Sequence, residues 1–298
     1  MKSIGLIGAG TMGISAGRKI LEGGYSLVAH DSSPHAQENA RGIGAKVTKS
    51  PVEVAKETEI VLMFLPGPQE VERCVNGPGG LLNAAPPGSV IVDMSTVDPG
   101  VTRRMAKIAR SKGVGYLDAP VLGRPSTVGA WALPVGGEAE DLDLCRPILE
   151  LIASKIFHIG NSGMGNQIKL LNQMMFGAIN AMTAEMMAIA EKMGIPPRLL
   201  YETIIASQAG TVSNLFKELG ARIAFENYWD PTFTVDLLIK DMHLAVEMAR
   251  ESGAPPLLGR TIEFINEMAR AQGQGNMDTA AMWKSFQAIW ENREKNCT

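Results

Sequence analysis

The chain has 298 residues, 45% apolar and 20% charged, with a formal charge of −3. That length buries a substantial core and suits two domains, and the slightly acidic balance excludes the polycationic face of a nucleic-acid binder. Three widely spaced cysteines, Cys74, Cys145 and Cys297, offer neither a disulfide framework nor a metal cluster, so a reducing, cytoplasmic setting is expected.

In chain order, short apolar runs predict strands over 3–7, 26–30, 59–65, 89–94, 115–121, 130–135 and 155–159. Helices are predicted between them over 13–22, 52–56, 70–74 and 101–112. This alternation predicts an α/β domain over residues 1–162, a largely parallel sheet covered by helices. From 163 the rhythm changes. Residues 164–193 contain no proline and carry apolar residues at helical spacing, and further helices are predicted over 197–206, 214–224, 234–252, 256–272 and 279–294. Residues 163–298 are therefore expected to form an all-α domain with the 164–193 helix as its first element. The apolar stretch at 174–193 is interrupted by Asn180, Glu185 and Glu191, short of the roughly 18 to 20 apolar residues that span a bilayer. The opening lacks the pattern of a secretory signal, and no membrane or nucleic-acid partner is expected.

Gly8, Gly10 and Gly13 form G-x-G-x-x-G directly after the first predicted strand. In that setting the first glycine makes a tight turn, the second admits a phosphate and the third lets helix and strand pack closely. The helix start at Thr11 and Met12 then offers N–H donors to a pyrophosphate. Asp31 ends the second strand, 18 residues after Gly13, where a carboxylate accepts bonds from ribose hydroxyls and repels a ribose phosphate. NAD is the expected cofactor. His30, Ser32 and Ser33 leave room for NADP, and a turn or helix-cap role for Asp31 stays open.

Further polar signals sit at predicted strand ends. MFLPGP places Leu65 and Pro66 in a loop suited to flank the cofactor, and VIVDMSTVDPG offers Ser95 or Thr96 to the nicotinamide ribose or substrate. The competing reading there is a proline-stiffened loop with a threonine capping the helix near Pro99. In DAPVLGRPSTVGAWALPVGG, Asp118 is suited to orient the loop and Arg124 to pair with a carboxylate, phosphate or sulfonate; an ordinary surface arginine is the competing reading.

GMGNQIKLLNQMMFGAINAMTAE holds the best catalytic candidate. Lys169 and Gln173 are i,i+4 on one helix, with Asn172 adjacent and apolar residues around them. A lysine there can exchange a proton with an alcohol or a developing alkoxide, while Asn172 or Gln173 orients the oxygen. Lys240 is read either as a cleft residue near cofactor or substrate, or as half of a helical ion pair with Asp236. The four histidines are scattered and are expected to pack or face solvent; no metal site is expected.

Taken in order, GLIGAGTMG, MFLPGP, DMSTVDPG, DAPV…GG, the G-x-G-x-x-x-K helix and LLIKD resemble the β-hydroxyacid dehydrogenase family over nearly the whole chain. The resemblance implies a Rossmann domain followed by a helical domain, and a homodimer or homotetramer assembled through the helical part. It also implies reversible hydride transfer between NAD(H) and a small acidic alcohol or aldehyde. It implies Lys169 as the catalytic lysine, Thr96 and Lys240 lining the nicotinamide and substrate cleft, and Gly123 in the substrate turn. Two departures stand out. Gln173 occupies a position where relatives commonly have asparagine, and DAPVLGR replaces DAPVSGG, so Leu122 removes a hydroxyl and Arg124 adds a positive charge. These changes keep succinic semialdehyde or a sulfonated aldehyde open beside 3-hydroxyisobutyrate-like substrates. The same cofactor turn and domain order would also suit an imine reductase or a non-catalytic dinucleotide-binding scaffold.

Overall fold

The computed structural model describes residues 3–207 and 213–295. Two compact units divide the chain, Met1–Lys169 and Leu170–Thr298. Cys297 lies outside the described residues.

The first unit runs β1 (Ser3–Ile7), α1 (Thr11–Glu22), β2 (Ser26–His30), α2 (Pro34–Gly42), β3 (Lys46–Val47), α3 (Pro51–Glu57) and β4 (Ile60–Met63). It continues through α4 (Pro68–Asn76), β5 (Val90–Asp93), α5 (Pro99–Ser111), β6 (Gly115–Asp118), β7 (Trp131–Gly136), α6 (Ala139–Ile152) and β8 (Ala153–Gly160). The strands form one sheet in the order β3-β2-β1-β4-β5-β6-β7-β8. All neighbours are parallel except β6 and β7. The order 3-2-1-4-5-6 is that of a Rossmann fold, whose strand order reverses between β1 and β4 and leaves a crevice at their carboxyl ends.

The central strands are buried on both faces, so they read as continuous apolar runs such as IVLM and VIVD rather than alternating ones. One face packs Leu6, Leu62, Val92 and Leu117 against Ala16, Ile20, Leu142 and Leu149. The other packs Ile7, Met63 and Ile91 against Val54, Val71 and Met105. Proline sits in the first turn of α2, α3, α4 and α5, where its missing N–H costs nothing and its fixed φ suits the helix.

The long helix α7 (Met164–Lys192) begins in the first unit and continues into the second. The second unit adds α8 (Pro197–Ala206), α9 (Asn214–Ala224), α10 (Val235–Glu251), α11 (Leu257–Ala271) and α12 (Met282–Lys295). Its core gathers Met187, Leu219, Val235, Leu238, Met242 and Met282. No helix among the described residues is long and apolar enough to cross a membrane.

Several sequence expectations are corrected. Helix α2 has no counterpart among the predicted elements: its stretch PHAQENARG is polar, and only Ala36 and Ala40 are buried. Helix α6 has none either, because Pro147 interrupts its pattern although Leu142, Cys145, Ile148, Leu149 and Ile152 are buried. The two-residue β3 is too short to carry a period. The strand predicted over 115–121 stops at Asp118, just before Pro120, which has no N–H for a ladder. Helix α5 starts at Pro99 because Asp98, not a threonine, accepts the Val101 N–H at 2.9 Å. The segment predicted as one helix over 279–294 opens as a 3-10 turn, Thr279–Ala281, before α12.

Candidate functional site

The nucleotide turn is built by close approach. Gly8 has φ +86°, and a Cβ there would lie 2.1 Å from the Phe64 carbonyl oxygen. A Cβ on Gly13 would lie 1.9 Å from the Gly8 carbonyl oxygen, so no larger residue lets α1 start this close to β1. Gly10 caps α1 without a side-chain bond and has nothing within 4 Å of its Cβ position. The first-turn N–H groups of Thr11, Met12 and Gly13 therefore open on a clear, positive helix end. Asp31 stands beside it: its Oδ2 accepts the Ala9 N–H at 2.7 Å and its Oδ1 accepts the Ser33 N–H at 2.8 Å. Asp31 thus shapes the turn as well as bringing a carboxylate to it. An open turn, uncapped N–H donors and an adjacent carboxylate fit a dinucleotide.

Two further carboxylates end neighbouring strands. Asp93 and Asp118 are paired in register on β5 and β6, and both are fully buried. Asp93 Oδ2 accepts the Tyr116 hydroxyl at 2.9 Å, and its Oδ1 accepts the Ser95 N–H at 2.9 Å. Ser95 is buried, and its hydroxyl accepts the Leu65 N–H at 2.9 Å. Asp93 therefore holds the loop of Leu65 and Pro66 through Ser95, which leaves Thr96, half-buried, as the hydroxyl nearer the surface. Thr96 engages a partner of its own.

Asp118 holds the start of α7. Its Oδ1 accepts the Gly163 N–H at 2.8 Å and its Oδ2 accepts the Asn166 N–H at 2.9 Å. Asn166, also fully buried, accepts the Val97 N–H at 3.1 Å and donates to the Thr102 hydroxyl at 3.2 Å. One helical turn later, the half-buried Lys169 donates from Nζ to the Val121 carbonyl at 2.9 Å. Asp118 and Val121 are three residues apart, so a single short segment anchors both the helix start and the lysine tip. Burial raises the Asp118 carboxyl to about 6, against the lowering effect of its two backbone donors.

The segment after β6 returns as a wide hairpin. Leu122 and Ala132 exchange N–H···O bonds of 3.0 and 3.2 Å. Gly123 is exposed and Arg124 half-buried at its tip. In the second unit, Gln173 is buried and donates to Asp241 Oδ2 at 2.5 Å, while the exposed Asn172 donates to Gln173 at 3.4 Å. Lys240 pairs with Asp241 at 2.7 Å. His158 donates to the Gly137 carbonyl at 2.7 Å, and His243 meets Glu263 at 2.9 Å. No group of three or more potential metal ligands occurs among the described residues. Asn166, Phe64 and Trp131 do not stand out in the sequence; their positions within GMGNQIK, MFLPGP and the hairpin after β6 are the only signals for them.

A Rossmann unit with an intact dinucleotide turn, followed by an all-α unit, defines an NAD(P)-binding oxidoreductase architecture. The family described as the NAD binding domain of 6-phosphogluconate dehydrogenase matches residues 3–160, and that described as NAD-binding of NADP-dependent 3-hydroxyisobutyrate dehydrogenase matches residues 163–286. The chain is 33% identical to a 2-(hydroxymethyl)glutarate dehydrogenase of Eubacterium barkeri, over 97% of this chain and 94% of the relative. It is 30% identical to a 3-sulfolactaldehyde reductase of Escherichia coli, over 95% of each. The crystal structure of a 3-hydroxyisobutyrate dehydrogenase from Salmonella typhimurium superposes with a TM-score of 0.88 at 26% identity, covering 95% of this chain and 99% of that one. The chain belongs to the β-hydroxyacid dehydrogenase family.

Gly13→Ala forces α1 away from β1, at a cost of about 1–3 kcal/mol typical of overpacking. NADH affinity in a fluorescence titration is then expected to weaken at least about tenfold; unchanged affinity would show that the turn relaxes around the methyl. For Asp118, the folded carboxyl keeps its proton up to about pH 6, whereas the unfolded one loses it near 3.8. Stability therefore falls as pH rises through that window, by about 3 kcal/mol in total. Urea unfolding from pH 4 to 7 should show this fall in the parent protein and a flatter profile in Asp118→Asn; parallel profiles would assign the slope to other groups.

Proposed function

We propose that this chain catalyses reversible oxidation of a small β-hydroxyacid to its semialdehyde, with NAD(H) as the preferred cofactor and Lys169 as the general acid and base. The observation that carries the reading is the Lys169 ammonium held on the Val121 carbonyl, on a helix whose first turn is locked by Asp118. NAD(H), when bound, accepts or supplies the hydride. Gly8, Gly10, Thr11, Met12, Gly13 and Asp31 are proposed to hold its adenosine and pyrophosphate, and Leu65, Pro66, Thr96 and Lys240 to flank the nicotinamide.

In oxidation, neutral Lys169 takes the hydroxyl proton as the C–H bond breaks and the C=O bond forms. In reduction, the ammonium returns that proton to the oxygen of the aldehyde as it becomes an alcohol. The Val121 carbonyl accepts one ammonium N–H and so fixes the directions in which the others point. The remaining substrate contacts are proposed to come from Thr96, Leu122, Gly123, Arg124, Asn172, Gln173 and Lys240. For Gln173 the bond to Asp241 favours an indirect part, in which its amide oxygen accepts from Asn172 and so orients that exposed amide.

Arg124 supports a narrower reading, in which the substrate bears a carboxylate or sulfonate at the end away from the reacting carbon. Its planar fork suits either anion. Two relatives are named for a hydroxymethylglutarate and for sulfolactaldehyde, molecules that carry a carboxylate or a sulfonate.

Purified protein assayed by NADH consumption should reduce a carboxylated or sulfonated aldehyde, and Lys169→Ala should lower kcat by about 100-fold to 10,000-fold while NADH still binds. Turnover of cyclic imines alone, or full activity in Lys169→Ala, would sink the assignment. Asp31→Asn should raise the NADPH to NADH ratio of kcat/KM by about tenfold, the scale of one relieved charge repulsion of ~1.4 kcal/mol. An unmoved ratio would show that another group selects the cofactor.

A further inference from the structure

Trp131 opens β7 and is fully buried, yet it sits at the base of the exposed hairpin that carries Arg124. Its indole fills the space over Gly123: a Cβ there would lie 2.3 Å from Trp131 Cδ1 and 3.0 Å from Nε1. The indole N–H donates to the Arg124 carbonyl at 2.7 Å. The same carbonyl also accepts the Thr127 N–H at 3.0 Å and the Thr127 hydroxyl at 3.1 Å, and the Arg124 N–H lies 3.1 Å from that hydroxyl. The main chain of Arg124 is thus fixed from both sides, by a turn within the loop and by a rigid ring from the sheet. The indole thus ties the Arg124 carbonyl directly to a fully buried residue of the core.

The other side of the ring meets Phe64 edge-on, with centroids 6.5 Å apart and planes at 60°. Phe64 is the residue whose carbonyl oxygen lies under Gly8, and its ring Cδ2 is 3.5 Å from the Cβ position of Gly13. Two aromatic rings therefore join the nucleotide turn to the arginine turn. Rings with few rotatable bonds transmit position better than flexible chains do, because little side-chain entropy is spent to hold them.

We propose that Trp131 is a positioning residue for substrate specificity: it fixes the Arg124 turn, at a set distance from the nucleotide turn, so that the guanidinium meets the anionic tail of the substrate. This inference rests on the reading of Arg124 as the tail-binding group. Loss of the indole N–H leaves Arg124 charged but its turn less constrained, so selectivity for anionic tails relaxes while proton transfer at Lys169 continues.

The test compares parent, Trp131→Phe, Arg124→Ala and the double variant with three aldehydes of similar length, one carboxylated, one sulfonated and one uncharged. Trp131→Phe keeps an aromatic ring and removes the donor. Expected is a rise in KM of up to about tenfold for the anionic aldehydes, the scale of one hydrogen bond, with kcat, KM for NADH and KM for the uncharged aldehyde unchanged. Adding Trp131→Phe to Arg124→Ala should bring no further rise. A different rise for carboxylate and sulfonate identifies which anion the turn is set for. Benzothienylalanine in place of Trp131 keeps the bicyclic ring and removes the N–H, should give the same selective rise, and serves if Trp131→Phe does not fold. Equal effects on charged and uncharged aldehydes, or an undiminished effect in the Arg124→Ala background, would overturn the inference. If Arg124→Ala itself leaves the anionic aldehydes unaffected, the tail-binding reading fails first; if Arg124→Ala is selective and neither Trp131→Phe nor the benzothienyl variant is, the role of Trp131 alone fails.

Discussion

A buried carboxylate at the end of β6 sets the geometry on which the candidate chemistry rests. Asp118 faces no solvent, and its charge costs the fold about 3 kcal/mol when ionised, judged from a carboxyl raised from 3.8 to about 6. Hydrophobic packing alone would favour an apolar residue there. What the carboxylate supplies is direction: two acceptor oxygens take N–H groups of Gly163 and Asn166, donors that a helix start otherwise leaves unpaired. Helix α7 is pinned to the sheet at its first turn, and Lys169 follows one turn later. A lysine side chain is long and flexible, so its usefulness as an acid or base depends on such a fixed starting point and on the Val121 carbonyl that receives its tip.

The same device recurs along the carboxyl edge of the sheet. Asp31 ties the end of β2 to the nucleotide turn through Ala9, and Asp93 ties the end of β5 to the Leu65 loop through Ser95. Asn166 then joins the α7 start to Val97 and Thr102 in the segment that follows Ser95. Parallel strands bring successive loops to one edge, but packing between strands does not orient those loops. Buried polar groups do, because leaving any of them unpaired costs about 1–3 kcal/mol. The bonds to Ala9, Ser95, Gly163 and Asn166 are thus both the satisfaction of buried groups and the alignment of the site.

The elements legible in the sequence are those whose signal is local. The apolar runs of β1, β2, β4 and β5, the helices α3, α4 and α5 and the proline-free α7 each express their periodicity within a dozen or so residues. Helix α2 is not legible because it buries only two alanines, and α6 because Pro147 breaks the pattern that its apolar core residues would otherwise show. Lys169, Gly8 and Asp31 stand out through spacing and residue type. Asn166 and Trp131 do not, since their partners lie far along the chain or, for Trp131, across a hairpin whose register no sequence pattern shows.

The sequence by itself determined the class of fold and the dinucleotide turn and singled out Lys169 as the candidate lysine, because glycine sterics, strand and helix periods and motif order are properties of neighbouring residues. Only the tertiary structure decided how Asp118, Gln173, Lys240 and Trp131 are used. Asp118 meets N–H groups 45 and 48 residues away, Gln173 meets Asp241 at a separation of 68, and Lys240 pairs with the adjacent Asp241. Such pairings depend on which strand ends and helices folding brings together, and a hydrogen bond of under about 3 Å is settled by that placement rather than by propensity.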